Sequence, residues 1–295
     1  MAVVKIPFVL VDVFTDRPLA GNQLCVVPEP VALETDQMQA VAKEIGFSET
    51  TFVSEAKEDR YAMRIFTPGG ELPFAGHPSL GTAFVLISKG LVASPATQTV
   101  AAGEFRVEAD PGKGTARMRQ GLPEFGPEFE DREMVARAAG LGVDDLHPSL
   151  PVQAVSTGLS HLMVPAVDRD TVARARADLP IVREVVRASG SSGYYLLAAD
   201  ADGAKARLFD ADLGVVEDPA TGSAAGPLGA YVVHHGVLPP GEIVISQGVE
   251  IDRPSTLVVQ VARDGHDLTV HVGGGVAIVG EGAFDLPSRT GAAPA

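Results

Sequence analysis

Two hydrophobic patterns divide the chain into short strands and a few helices. Runs rich in β-branched residues or alternating in polarity predict strands, whereas apolar positions three and four apart predict helices. The first half contains the predicted strands VKIPFVLVDVFT, NQLCVVP, TTFVSE, YAMRIFT, FRVEAD and TARMRQ, with helical spacing in LETDQMQAVAKEIG and HPSLGTAFVLISKG. The second half contains HLMVPAV, YYLLAAD, AKARLF, EIVISQG, STLVVQVAR and LTVHVGGGVAIV around the helical segment GSAAGPLGAYVVHHG. The pattern predicts a strand-rich α+β protein.

The segments HPSLGTAFVLISKG and GSAAGPLGAYVVHHG carry small and apolar residues on nearly all sides. A helix with no polar face must be buried, and the predicted strands are numerous enough to surround both. We therefore expect each half to be a curved, barrel-like β-sheet wrapped around a central helix.

An internal repeat supports two similar units. Arg64 and Phe66 match Arg207 and Phe209, and AGNQLCVV and SETTFVS match TGLSHLMV and SSGYYLLA, which aligns Glu49 with Ser192. The alternative is the loose alignment common among glycine-rich α/β chains. We predict two pseudo-symmetric domains, residues 1–122 and 123–285, followed by a flexible tail, 286–295. The boundary lies in a proline and glycine cluster at 123–130, and the last strand could pack back on the first domain.

Charge and cysteine content narrow the partners. The 23 basic and 38 acidic residues give a net charge of −15, which repels nucleic acids and anionic membranes. No segment approaches the roughly 20 apolar residues of a membrane span. Cys25 is the only cysteine, so no intrachain disulfide or cysteine pair exists. These features predict a cytoplasmic protein with neither nucleic acid nor membrane as a partner.

The starts of the two apolar helices are candidate anion sites. Gly76 stands just before Pro78 in GHPSLG, and Gly222 and Ser223 occupy the matching place in EDPATGSAAG. Unpaired N–H groups and the helix dipole favour carboxylate or phosphate at such positions. Two related N-termini facing one cleft would bind a small carboxylate substrate.

Five segments resemble the PhzF-type phenazine-biosynthesis isomerases, which are related in fold to diaminopimelate epimerase. These segments are VDVFTDRPLAGNQLCVV, ETTFV, RIFTPGGELPFAGHPSLGTA, EDPATGSAAGPL and QGVEIDRPS. The resemblance covers about Val9 to Gly282. It implies two similar domains, an active site between them that uses no cofactor, and a homodimer. The reaction named for this family converts trans-2,3-dihydro-3-hydroxyanthranilate to its isomeric ketone.

Glu49 is the leading catalytic candidate. Its hydrophobic neighbours Phe47, Phe52 and Val53 could raise its pKa towards neutrality, and the resemblance implies that it is the catalytic carboxylate. From the residues alone, a solvated acid at the start of a strand is the simpler interpretation.

His77 and Asp218 complete the predicted catalytic set. A lone histidine before proline is more often structural, and Asp218 before a proline is a typical helix N-cap. The resemblance instead implies that His77 and Ser223 bind substrate or relay a proton, and that Asp218 hydrogen-bonds substrate. We predict Gly76, Ser79, Gly222 and Ser223 as substrate-binding residues.

The combined hypothesis is an isomerase or epimerase in which Glu49 moves a proton between two carbons, with no cofactor and no metal. HVGGGVAIVGEG lacks the spacing of a dinucleotide-binding loop, so its glycines predict close strand packing instead. A non-catalytic binding protein is the main alternative. A lyase or hydrolase is a third, in which Ser223 would need a histidine from elsewhere in the fold.

Overall fold

The computed structural model describes residues 3–30, 33–210, 216–265 and 267–287. The elements of the first half are β1 (Val3–Val13), β2 (Asn22–Val27), α1 (Thr35–Ile45), β3 (Glu49–Lys57), β4 (Arg60–Phe66), β5 (Glu71–Leu72), α2 (Gly76–Ser88), β6 (Ala96–Val100), β7 (Gly103–Asp110) and β8 (Thr115–Arg119). The predicted strands and both predicted helices of this half are confirmed.

The second half begins with β9 (Glu124–Glu128), α3 (Arg132–Ala138), a 3₁₀ turn (Val143–Asp145), β10 (Gln153–Ser156), β11 (Ser160–Pro165), α4 (Arg169–Arg174) and α5 (Leu179–Ser189). It continues with β12 (Tyr194–Asp200), β13 (Gly203–Phe209), β14 (Glu217–Asp218), α6 (Gly222–His234), β15 (Gly241–Gln247), a 3₁₀ turn (Val249–Ile251), β16 (Ser255–Asp264) and β17 (Asp267–Pro287). The fold is mixed α+β.

Eight strands close a barrel around α2. Hydrogen-bonded pairs run in sequence through β1, β2, β3, β4, β6, β7, β8 and β17, and β17 returns to β1. Every residue of α2 from Gly76 to Leu86 is buried. The small residues Gly81 and Ala83 allow this, since a Cβ at Gly81 would lie 2.6 Å from Leu24 Cδ2.

A second run of paired strands surrounds α6. It passes through β9, β10, β11, β12, β13, β15, β16 and the first part of β17. Every residue of α6 from Gly222 to Val233 is buried except Ser223. The apolar character of both helices therefore reflects burial, as the sequence predicts.

Strand β17 belongs to both sheets. Its residues 267–274 pair with β16, 271–275 pair with β8, and 276–287 pair with β1. The glycine run makes this sharing possible, because a Cβ at Gly273 would lie 2.6 Å from Ala116 O and one at Gly275 would lie 2.4 Å from Thr15 O. Close strand packing, predicted for these glycines, is confirmed.

The same local arrangement occurs twice in the chain. Arg64 pairs with Glu71 on β5 and lies 5.0 Å from the ring centre of Phe66. Arg207 pairs with Glu217 on β14 and lies 4.9 Å from the ring centre of Phe209. The order β4–β5–α2 thus recurs as β13–β14–α6.

The strand registers correct the repeat alignment by one residue. Phe66 pairs with Thr50, whereas its counterpart Phe209 pairs with Tyr194. Thr50 therefore corresponds to Tyr194, and Glu49 corresponds to Gly193 rather than to Ser192. The sequence comparison missed this because it aligned two serines of loops that differ in length.

Two boundaries differ in detail from the sequence prediction. The proline and glycine cluster at 123–130 contains β9, which pairs with β10. The predicted tail 286–295 begins too early, because Leu286 and Pro287 are still paired with β1. Residues 288–295 lie outside the described residues, and the division into two domains stays a prediction.

Candidate active site

Glu49 lies where β3 starts beside the parallel strand β2, opposite Leu24. Its side chain is 12% exposed, and its Oε2 atom makes no hydrogen bond with any described residue. Burial, followed by the nearby negative charge of Asp218, raises the pKa of Glu49 to about 8. The raised pKa has the direction predicted from its apolar neighbours, and it suits a group that gains and loses a proton near neutral pH.

His77 is the second residue of α2 and faces Glu49. Its Nε2 atom lies 3.4 Å from Glu49 Oε2, and within the described part of the chain neither atom has a hydrogen-bond partner. Burial lowers the pKa of His77 to about 3, while a hydrogen bond with the Gln23 backbone acts in the opposite direction. A backbone bond that favours the charged ring is one that the ring donates, and Nε2 is unbonded, so Nδ1 is the donor. The neutral ring therefore presents the Nε2 lone pair to Glu49.

Asp218 connects the two halves of the chain. Its Oδ1 accepts a hydrogen bond of 2.9 Å from Asn22 Nδ2 on β2, and its Oδ2 accepts one of 2.5 Å from Thr221 Oγ1. Burial raises the pKa of Asp218 to about 6, although both of these hydrogen bonds lower it. Asp218 is not a helix N-cap, because α6 begins at Gly222 and its N-cap is Thr221.

A buried amide network holds Asp218 and Thr221 in place. Gln247 Nε2 donates to the Asp218 carbonyl at 2.9 Å and to Thr221 Oγ1 at 3.0 Å. Gln247 Oε1 in turn accepts from Tyr195 OH at 2.9 Å. Sequence reasoning missed Gln247 and Asn22, although AGNQ and QGVEI were already quoted as motifs.

The first turns of α2 and α6 meet at the same place. A Cβ built on Gly76 would lie 3.5 Å from Ser223 N, and one on Gly222 would lie 3.7 Å from His77 N. Gln120 fixes the start of α6, since its Nε2 donates to Gly222 O at 2.9 Å. The unpaired first-turn N–H groups of both helices are thereby brought close to Glu49 and His77.

Ser223 has a histidine partner that the sequence analysis did not identify. His161 Nε2 lies 3.0 Å from Ser223 Oγ, and His161 is 3% exposed. Burial lowers the pKa of His161 to about 4, so its ring is neutral near pH 7. His161 lies on β11 in TGLSHLMV, which the repeat aligns with AGNQLCVV. The alignment of these two segments could therefore have identified His161 as a candidate.

Ser79 is placed differently from the other predicted substrate contacts. Its hydroxyl donates to Ala75 O at 2.7 Å and accepts from Gln98 Nε2 at 2.9 Å. Its polar atoms thus bond to the helix and to β6. These bonds give Ser79 a structural role, and its contact with substrate stays a prediction.

The described residues lack two features, a metal-binding cluster and a membrane-spanning helix. No group of three or more histidine, cysteine, aspartate or glutamate side chains there is arranged to hold a metal ion. Within the same ranges, no helix is long and apolar enough to cross a bilayer.

Known proteins establish the class. The "Uncharacterized isomerase YddE" of Escherichia coli K12 is 34% identical over 284 residues, covering 91% of this chain and 95% of the relative. The "Trans-2,3-dihydro-3-hydroxyanthranilate isomerase" of Pseudomonas fluorescens is 34% identical over 287 residues, covering 95% and 99%. Relatives named isomerases that match almost the full length of this chain define the class: this chain is an isomerase.

The family follows from a match to almost the whole chain. The sequence model described as "Phenazine biosynthesis-like protein" (PhzC-PhzF) matches residues 11–282, and the chain belongs to this family. The crystal structure of the PhzF-family protein of Bacillus anthracis superimposes with a TM-score of 0.86 at 30% identity, covering 95% of this chain and 99% of that one. A hydroxyproline epimerase from Agrobacterium vitis shares the fold, with a TM-score of 0.62 at 12% identity and coverage of 97% and 94%.

Proposed function

We propose that this isomerase moves a proton between two carbons of a small carboxylic acid, with Glu49 as the group that removes and returns the proton. The observation that carries the proposal is the buried Glu49–His77 pair, whose facing atoms lie 3.4 Å apart without a hydrogen bond. Buried polar atoms are rarely left unpaired in a structural role, whereas a reacting group must be free to accept a proton.

In the proposed reaction the substrate carboxylate binds the first-turn amides of α2 and α6. Those amides stabilise negative charge that develops when a neighbouring C–H bond is broken. The Glu49 carboxylate takes the proton, and the electron pair of the broken C–H bond forms a new double bond to the neighbouring carbon. The electrons of the original double bond move to the far carbon of the allylic unit, where the proton is delivered. Glu49 ends as a carboxylate, so no external acid, base or oxidant is consumed.

His77 and Asp218 have distinct proposed roles. Neutral His77 can accept a hydrogen bond from protonated Glu49 through Nε2 between the two transfers. Asp218 keeps Glu49 a strong enough base, because its negative charge raises the Glu49 pKa. Asp218 also offers carboxylate oxygens to a substrate amine or hydroxyl, as expected from the resemblance.

The substrate class rests on the relatives' names and the site's donors. trans-2,3-Dihydro-3-hydroxyanthranilate carries a carboxylate for the helix amides and polar substituents for Asp218 and Ser223. We propose a substrate of this type, bound in a cleft between two pseudo-symmetric barrel domains. The homodimer also stays a proposal, which light scattering on the purified protein would test.

The decisive experiment follows trans-2,3-dihydro-3-hydroxyanthranilate by proton NMR in water and in heavy water. We expect the wild type to isomerise it, and Glu49→Gln to be slower by about 1,000-fold, since general acid–base groups contribute ~10²–10⁴. Glu55→Gln is the matched control, because Glu55 is an exposed residue of the same strand. Saturable binding of the compound without turnover or hydrogen exchange in the wild type would instead support the binding-protein alternative.

A further inference from the structure

The α2 side and the α6 side of the site, which form its two walls, carry different side chains at equivalent positions. On the α2 side, Glu49 on β3 faces His77 on the helix. On the α6 side, the strand registers place Gly193 where Glu49 would be, and the repeat places Ser223 where His77 would be. On the α6 side, glycine and serine therefore replace the carboxylate–histidine pair of the α2 side.

His161 fills the space that Gly193 leaves. A Cβ on Gly193 would lie 3.0 Å from His161 Nδ1, so a glutamate could not be accommodated beside this ring without a shift. The counterpart of His161 on β2 is Leu24, which is fully buried. A polar ring thus stands where the other half has a hydrocarbon side chain, and its Nε2 reaches Ser223 Oγ at 3.0 Å.

The tautomer of His161 decides what the pair can do. Its Nδ1 atom is buried and has no hydrogen-bond partner among the residues that the structure describes. An unpaired buried N–H is rarer in proteins than an unpaired buried acceptor, so the ring keeps its hydrogen on Nε2 and donates it to Ser223 Oγ.

A nucleophilic serine needs the opposite arrangement. Its histidine accepts the serine proton through Nε2 while a third group accepts a hydrogen bond from Nδ1–H, and no described residue does so for His161. The histidine required by the hydrolase alternative is present, but it lacks the orienting partner.

We propose that His161 is a positioning residue, whose Nε2–H donates to Ser223 Oγ and so directs the Ser223 hydroxyl hydrogen towards the substrate. This inference rests on the proposed function for its catalytic consequence. Ser223 is half-buried, whereas the other residues of α6 from Gly222 to Val233 are buried, and a second donor at this position adds to the amides that stabilise developing negative charge. His161 and Ser223 thereby favour substrates with an acceptor oxygen on this wall.

The first test does not depend on turnover. Long-range ¹H–¹⁵N NMR of the histidine rings at neutral pH, with His161→Gln to assign the signal, should show a neutral His161 with hydrogen on Nε2. Hydrogen on Nδ1, or on both nitrogens, would overturn the proposal even if the enzyme is active. The result also stands if trans-2,3-dihydro-3-hydroxyanthranilate is not turned over, so the two proposals can fail separately.

The second test uses kcat and KM for the same compound. We expect His161→Leu, which installs the residue found on β2, and Ser223→Ala each to lower kcat by roughly 10- to 100-fold, with the double variant no worse than Ser223→Ala. His161→Gln, which keeps a donor near the Nε2 position, should recover most of the activity. His271→Gln is the matched histidine control, since His271 lies on β17 opposite Arg119 of β8. Losses that multiply in the double variant, or no rescue by glutamine, would mark His161 as merely structural.

Discussion

Glu49 Oε2 and His77 Nε2 lie 3.4 Å apart in a buried site, and burial shifts their pKa values in opposite directions. The carboxyl is held protonated to about pH 8, whereas the imidazole stays neutral down to about pH 3. Across this range Glu49 is therefore protonated, His77 is neutral, and the pair has no net charge. A neutral pair avoids the large cost of burying an unpaired carboxylate, and the carboxylate form of Glu49 that the proposed reaction uses appears as pH rises to about 8.

The first prediction concerns the pH dependence of activity. Because the base form of Glu49 appears only as pH rises through about 8, kcat/KM of the wild type should increase up to that pH and then level off. Asp218→Asn removes a charge that raises the Glu49 pKa, so the rising limb should move to lower pH even if the maximal rate falls. Glu55→Gln should keep the wild-type profile. A profile that is flat between pH 6 and 10 would contradict Glu49 as the base.

The second prediction concerns stability. Glu49 has an ordinary pKa of 4.5 when unfolded and about 8 when folded. Glu49 therefore binds its proton more tightly in the folded protein than in the unfolded chain. The resulting contribution to the free energy of unfolding is fully present below pH 4.5 and is lost as pH rises to about 8. Glutamine does not titrate, so Glu49→Gln should gain stability over the wild type by a few kcal/mol on going from pH 4 to pH 9. Chemical denaturation at both pH values measures this change, and an equal difference at the two would rule it out.

Local pattern was sufficient to predict most elements near the site. The sequence predicts the apolar helices α2 and α6, their N-termini and the strands around them, because buried segments are visibly rich in apolar residues. Helix α5 was not predicted, although it has clear end signals: Asp178 accepts from Ile181 N at its start, and Gly190 adopts a left-handed conformation at its end.

The contacts between distant segments could not be predicted in the same way. The bonds from Asn22 to Asp218 and from His161 to Ser223 join residues that lie far apart in the sequence. They depend on strand register, and the one-residue correction that makes Gly193 the counterpart of Glu49 changes which side chains face the helices. A pattern that fixes the face of each strand does not fix the register between strands.

The third prediction tests the helix N-termini as a binding site. A methyl group at Gly76 would lie 3.5 Å from Ser223 N, which is ordinary contact and leaves the helix undisturbed. The same methyl group would cover the amides, so Gly76→Ala should fold normally and bind 3-hydroxyanthranilate, a stable aromatic analogue, at least roughly tenfold more weakly by calorimetry. Gly70→Ala, with no atom within 4 Å of its added Cβ, is the control. Unchanged binding by Gly76→Ala would place the carboxylate elsewhere.

The fourth prediction uses the repeated ion pair that precedes each central helix. The side chains of Arg207 and Glu217 are 9% and 5% exposed, and Arg207 also donates to the carbonyls of Val172, Ala173 and Ala175. The side chains of Arg64 and Glu71 are 33% and 37% exposed. Removing one partner of a buried pair leaves an uncompensated charge and costs about 3–5 kcal/mol, whereas exposed pairs contribute ~0–1 kcal/mol.

Glu217→Gln should therefore lower the free energy of unfolding by about 3 kcal/mol or more, and Glu71→Gln by less than about 1 kcal/mol. Urea denaturation at pH 7 compares the two variants with the wild type. Because Glu217 directly precedes Asp218 on β14, the loss should also displace Asp218 and reduce activity, whereas Glu71→Gln should retain it. Equal effects of the two substitutions on stability would contradict the prediction that the buried pair contributes more than the more exposed pair.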